Sequence, residues 1–215
     1  MTDMLQRMPA WDPAPHRTQQ RVAWFRRIGL AACVAAMALV SMAGSAQGST
    51  RFISDGVQVA APQGARGLCE RYGWACVSGT QTAPSNLLAL ADYVNRRVNR
   101  QVREITDARQ YRREEHWALP TARGGDCEDF ALLKKRELMR LGVPASRLLM
   151  ATVLDHQNAA HAVLILRTDQ GDFVLDNLAP DLKHWSRTGY TFLRMQDPER
   201  PDRWMAVLAG GILAG

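Results

Sequence analysis

The chain has 215 residues, of which 47% are apolar and 22% charged; that suffices for one ordinary domain and excludes a disordered chain. Its formal charge is +6, but residues 1–50 hold five arginines against two aspartates and so carry +3 of it. The remaining +3 is too small a surplus to imply a polyanion partner, so no nucleic acid is expected.

The first predicted element is a leader. Arg21, Arg26 and Arg27 precede an apolar run from Ile28 to Met42, and Gly44 and Ala46 then suit a signal-peptidase site. That order predicts a signal peptide over 1–46 and one exported, periplasmic domain over 47–215. The competing reading is an uncleaved membrane anchor, because the run comes close to the lower limit of about 17 residues for a span. Cys33 falls inside the leader. Cys69 and Cys76, close together in GLCERYGWACVSG, predict a short disulfide in an exported chain, with two buried thiols as the alternative. Cys127 is left unpaired.

Residues 47–66 are small and polar and read as a lead-in segment. From Ser85 to Ile105, Leu87, Leu90, Val94, Val98, Val102 and Ile105 follow helical spacing, with Ser85 as the N-cap. Arg96, Arg97, Arg100 and Arg103 fall on the other side as a solvated face. Turn signals fill 106–125. A second helix is expected from Asp126 or Cys127 to Leu141, with Phe130, Leu133, Leu138 and Leu141 as its apolar stripe, Lys134, Lys135 and Arg136 in its second half, and Gly142 with Pro144 ending it. Strands are predicted over 148–154, 161–167 and 172–176, the last two joined by the turn TDQG, and further short ones over 190–195 and 204–208. Helices followed by an antiparallel sheet make an α+β fold.

The word GGDCEDFALLKKREL puts a thiol at a helix start, where free N–H groups and the helix dipole favour a thiolate. Gly124 and Gly125 allow close backbone approach and leave space for a substrate. Asp126, Glu128 and Asp129 work against the thiolate, so an imidazolium, a metal ion or both must offset them. His161, opening the strand HAVLILR, is the imidazole candidate; His156 competes with it and His116 is weaker. A two-residue turn at 168–171 puts His161 and Asp176 on one sheet face, about one diagonal step apart. Cys127, His161 and Asp176 then form a nucleophile, a base and an orienting carboxylate. Zinc is not expected, since the histidines lack ligand-pair spacing.

Several words raise this above coincidence: LCERYGWAC, VNRRVNRQVREITD, HWALPTARGGDCEDFALLKKREL, HAVLIL, GDFVLDNL and TGYTFLRM, spread in this order over residues 52–208. The chain resembles the bacterial transglutaminase-like cysteine proteinases, which include the LapG-type periplasmic proteases. The resemblance implies a papain- and transglutaminase-like α+β fold, with the cysteine at a helix N-terminus packed on an antiparallel sheet. It implies Cys127, His161 and Asp176 as the catalytic triad of an endopeptidase, and calcium held by Asp126, Glu128 and Asp129. In the same way it implies a protein substrate, in LapG-type members a cell-surface adhesin of the biofilm, and an inner-membrane regulatory protein as a partner. A competing account of the acidic word is helix capping by Asp126, with Glu128 and Asp129 complementing the dipole. Two alternative functions stand beside the protease: transglutaminase-type acyl transfer, and a non-catalytic calcium- or protein-binding module.

Overall fold

The computed structural model describes residues 51–79 and 81–213; the expected signal peptide with Cys33 lies outside them. Among the described residues, no helix is long and apolar enough to cross a membrane.

The helices come first. A short helix α1 (Leu68–Arg71) runs into a 3-10 turn, Gly73–Cys76, and the Cys69–Cys76 disulfide closes this loop. On chain-entropy grounds a ring of that size contributes about 2.5 kcal/mol. Helix α2 (Leu87–Gln101) buries Leu87, Ala91, Val94 and Val98 at helical spacing. Its N-cap is Asn86, not Ser85, and it ends at Val102, short of Ile105. Extended pairing takes over there: the Gly125 N–H donates to Arg103 O at 3.1 Å, and the Ile105 N–H to Gly125 O at 3.0 Å. One turn of helix, α3 (Asp107–Tyr111), follows.

Helix α4 (Cys127–Arg140) packs against both α2 and the sheet. It therefore buries Phe130, Ala131, Leu132 and Leu138 around more of its girth than a single stripe, while Leu141 is 43% exposed. The chain leaves it through a left-handed Gly142 (φ 85), with Gly142 N–H donating to Met139 O and Val143 N–H to Leu138 O, both at 3.0 Å. Those two bonds satisfy carbonyls the helix end would otherwise orphan. Arg97 and Glu137 bridge α2 and α4 at 2.8 Å.

Seven strands form one sheet: β1 (Gln58–Val59), β2 (Leu148–Leu154), β3 (Ala160–Thr168), β4 (Gly171–Leu175), β5 (Lys183–His184), β6 (Thr191–Gln196) and β7 (Trp204–Ala209). Their spatial order is β1-β7-β6-β2-β3-β4-β5, and all neighbours are antiparallel. This is the expected α+β arrangement. Both faces of the central strands are covered. Leu148, Met150, Leu164 and Leu166 face the helices, whereas Leu149, Ala151, Val163 and Ile165 pack with Ile53, Tyr190 and Phe192 on the other face. Burying each such side chain contributes about 1.5–3 kcal/mol. The lead-in segment is fastened to the sheet through buried Asp172, which pairs with Arg167 at 3.0 Å and accepts from Ile53 N–H at 2.9 Å.

Candidate active site

The glycine pair fixes where α4 begins. Gly124 has φ 123, and a Cβ there would land on the carbonyl oxygen of Arg103, far inside van der Waals contact. A Cβ on Gly125 would meet Asp129 Oδ2 at 2.6 Å. Only glycine at both positions lets this strand lie against 103–105 and deliver Cys127 to the first turn of α4. Cys127 is the free cysteine among the described residues.

His161 and Asp176 meet through the hairpin. β3 and β4 pair as Thr168↔Gly171 and Leu164↔Leu175, leaving a two-residue turn of Asp169 and Gln170. His161 and Asp176 therefore share a face, and His161 Nε2 lies 2.9 Å from Asp176 Oδ1. Both are buried, at 7% and 4% exposure. His156 is exposed, its ring 5.0 Å from that of Tyr190. His116 lies edge-on to Tyr111 at 4.8 Å.

The carboxylate of Asp176 is saturated with donors. Oδ1 also accepts from Leu178 N–H at 2.9 Å, and Oδ2 accepts from the Tyr190 hydroxyl at 2.6 Å. Burial pushes this carboxyl up, but the bonds from His161, Tyr190 and Leu178 outweigh it and hold the group below its ordinary range. Two asparagines of α2 fix the backbone here: Asn99 Nδ2 donates to Asp176 O at 2.8 Å, and Asn95 Nδ2 to Pro180 O at 3.0 Å. No sequence signal gives either asparagine or Tyr190 a role. Periodicity placed Asn95 and Asn99 on α2 without revealing what they face, and Tyr190 lay inside a resemblance word, TGYTFLRM, as one strand residue among several.

The Cys127 sulfur donates to Glu128 Oε2 at 3.2 Å. Burial pushes the thiol well above its ordinary value and the Glu128 charge adds to this, while the Ala162 backbone N–H pulls the other way. Cys127 and His161 line one cleft of about 250 Å³, together with Glu115, Trp117, Leu193 and Arg194. Register shifts in β2 at Thr152/Val153 and in β6 at Phe192/Arg194 fall along this cleft, as bulges beside functional sites do. A larger cavity of about 560 Å³, between the start of α2 and the 168–170 turn, is lined by neither histidine nor cysteine.

Asp107, Asp126 and Glu128 each bring a carboxylate oxygen within 4.8 Å of the others. Asp107 lies outside the expected ligand set and joins the group through α3. Asp126 Oδ2 accepts from the Asp107 N–H at 2.9 Å, so its side chain serves the start of α3 and makes no cap bond to α4. Asp126 Oδ1 is buried without a partner. Burial, then the Asp126 charge, push both Asp107 and Glu128 upward. Asp129, expected beside them, accepts from Ala118 N–H at 2.8 Å through Oδ1 and keeps Oδ2 buried and unpartnered; burial pushes it to about 8. Glu128 and Asp129 are thus interior groups, not solvated complements to a helix dipole.

Among solved structures, the chain is similar to calcium-bound LapG of Legionella pneumophila at 27% identity and a TM-score of 0.48, covering 57% of this chain and 70% of that one. The EGTA-treated form of that protein gives 26% and 0.49, covering 58% and 69%. A third LapG structure gives 24% and 0.46, covering 58% and 71%. No curated protein matches the chain. Residues 55–211, which span α1 to the end of the sheet and every side chain of this site, match the family described as bacterial transglutaminase-like cysteine proteinase BTLCP, and the chain belongs to that family.

Proposed function

We propose that the protein is an exported, periplasmic cysteine endopeptidase that uses Cys127, His161 and Asp176 on a cell-surface protein substrate. The observation that carries this reading is the buried 2.9 Å pair of His161 Nε2 and Asp176 Oδ1 in contact with a cleft that Cys127 also lines. Because Asp176 accepts the Nε2–H, the lone pair of His161 is on Nδ1, and that atom takes the thiol proton. The sulfur attacks the peptide carbonyl, and backbone N–H groups at the start of α4, that of Cys127 among them, meet the oxyanion. His161 returns the proton to the leaving amine. Water, activated by the same imidazole, then hydrolyses the thioester.

Export is supported by the order of residues 1–46 and by the Cys69–Cys76 disulfide, which an oxidising compartment favours. A cell-surface adhesin as substrate and an inner-membrane regulatory protein as partner rest on the family resemblance.

The acidic group fits calcium. It offers only oxygen ligands, three carboxylates converge, and Asp126 Oδ1 is buried with nothing to satisfy it. Asp107, Asp126 and Glu128 would hold the ion, with Asp129 beside them. When bound, it supplies positive charge that offsets the carboxylates' opposition to the Cys127 thiolate.

The test is the pH dependence of iodoacetamide alkylation, followed at the Cys127 peptide by mass spectrometry, in the wild type with calcium and in His161→Ala. A midpoint well under the ordinary value of about 8.5, lost with His161, supports an activated nucleophile. A midpoint at or above that value, indifferent to His161 and to calcium, would put the binding module ahead. Capture of the thioester by an added amine in preference to water would shift the reading to acyl transfer.

A further inference from the structure

We infer that Tyr190 is a positioning residue of the triad, holding Asp176 through its hydroxyl and the His161 ring through its edge, and this rests on the reading above. The hydroxyl donates to Asp176 Oδ2 at 2.6 Å. The Tyr190 ring lies perpendicular to that of His161, with centroids 5.8 Å apart and planes at 82°. One side chain therefore touches both members of the pair that orients the base.

The carboxylate has two ways to present itself to an imidazole. With Oδ2 anchored on the Tyr190 hydroxyl and Oδ1 shared between His161 Nε2 and Leu178 N–H, rotation about the terminal bond is blocked. Removing the hydroxyl leaves a buried carboxylate oxygen without its donor. The carboxylate is then free to turn, and the imidazole loses its fixed direction towards the cleft.

Tyr190 is itself held firmly. Its N–H donates to Thr188 Oγ1 at 3.2 Å. Gly189 before it has φ 73 and lies under His156, which a Cβ would meet at 2.8 Å. Gly210 crosses so closely that a Cβ there would lie 2.7 Å from Tyr190 O. Both glycines have left-handed backbone, with φ 73 and 75, and flank this seat.

The test is Tyr190→Phe, which keeps the ring and deletes the hydroxyl. It is read as the rate constant of Cys127 alkylation near pH 7, beside His161→Ala, Asp176→Asn and the double variant Asp176→Asn/Tyr190→Phe. Expected is a loss of about tenfold in Tyr190→Phe, the scale of one hydrogen bond to a charged group, and no further loss when it is added to Asp176→Asn. A thermal midpoint close to the wild type excludes a packing effect. If His161→Ala slows alkylation while Tyr190→Phe does not, or if the two losses multiply in the double variant, Tyr190 positions nothing. If neither His161→Ala nor Tyr190→Phe slows it, there is no triad, and the function proposed above falls as well.

Discussion

Cys127 Sγ donates to Glu128 Oε2 at 3.2 Å, so the candidate nucleophile is hydrogen-bonded to the carboxyl of the next residue in its own helix turn. Burial raises this thiol first, and the acidic word that identifies the cysteine adds to it. After burial, the Glu128 charge is the largest influence raising the thiol. The Ala162 N–H, which follows His161 on β3, opposes this and is not enough alone.

In chelator, Glu128→Gln is expected to lower the midpoint of Cys127 alkylation, because it removes a charge that disfavours the thiolate. Calcium added to the wild type should lower it too, and Asp107→Asn should blunt that response by removing one converging carboxylate. A midpoint that ignores Glu128→Gln would leave burial and the Asp126 charge as the causes of the raised thiol. A calcium response untouched by Asp107→Asn would remove that residue from the ligand set.

Asp176→Asn tests the tautomer. An amide that presents its NH₂ to His161 Nε2 makes that nitrogen the acceptor and moves the ring proton to Nδ1, where it cannot receive the thiol proton. Peptide hydrolysis should fall by up to about 10⁴-fold, the scale of such a tautomer change in a catalytic triad. The loss should be smaller than that of Cys127→Ala, and Cys127→Ala should leave the thermal midpoint nearly unchanged. Wild-type turnover in Asp176→Asn would take the carboxylate out of the mechanism.

What the sequence revealed followed its strongest physical signals. Strand 148–154 came out as β2 residue for residue, because a continuous apolar run bounded by Pro144 and Asp155 has few other solutions. The two-residue turn puts His161 and Asp176 on one face, since side-chain direction alternates with period two. Strand order was hidden: nothing local says that β6 lies between β2 and β7, or that two-residue strands β1 and β5 close the edges. The same limit hid Asp107, Asn99 and Tyr190, which reach the site from elements whose packing is a long-range outcome. The burial of Lys134 and Lys135 is hidden for a different reason. Charged residues in a helix's second half usually meet solvent, but α4 is covered by α2 and the sheet at once, and both lysines are buried.

Gly124→Ala should unfold the site's support more than its size suggests. The φ of 123 is strained for any side chain, and the new Cβ collides with the Arg103 carbonyl, breaking the pairing that holds 103–105 to 124–125. A destabilisation on the order of 3 kcal/mol or more is expected in urea unfolding. Cys127 alkylation should lose its dependence on His161 in the same variant. A change under about 0.5 kcal/mol would mean that the two segments are not held together by this contact.

Lys134 predicts the sign of a pH effect on stability. Its side chain is 1% exposed, with the ammonium over the Phe130 ring at 5.8 Å. Burial lowers it from 10.5 to about 7, with the Asp176 charge pulling partly back. Between these two values the unfolded chain binds a proton that the folded chain lacks, so this residue's contribution to stability rises with pH across that window. Below pH 7 the folded protein carries a buried ammonium at full cost. Lys134→Met is therefore expected to raise the thermal midpoint at pH 6, by a gain on the order of a few kcal/mol, and to raise it less as pH approaches 10. Lys135→Met should lower the thermal midpoint instead, because the Lys135 ammonium donates to Ala75 O at 2.7 Å and Gln196 Oε1 at 2.8 Å, and its loss leaves these core oxygens with only the Gln196 Nε2–H at 3.4 Å and the Met150 N–H at 3.0 Å. An equal gain from Lys134→Met at pH 6 and pH 9 would show that the residue acts through packing alone and not through its proton.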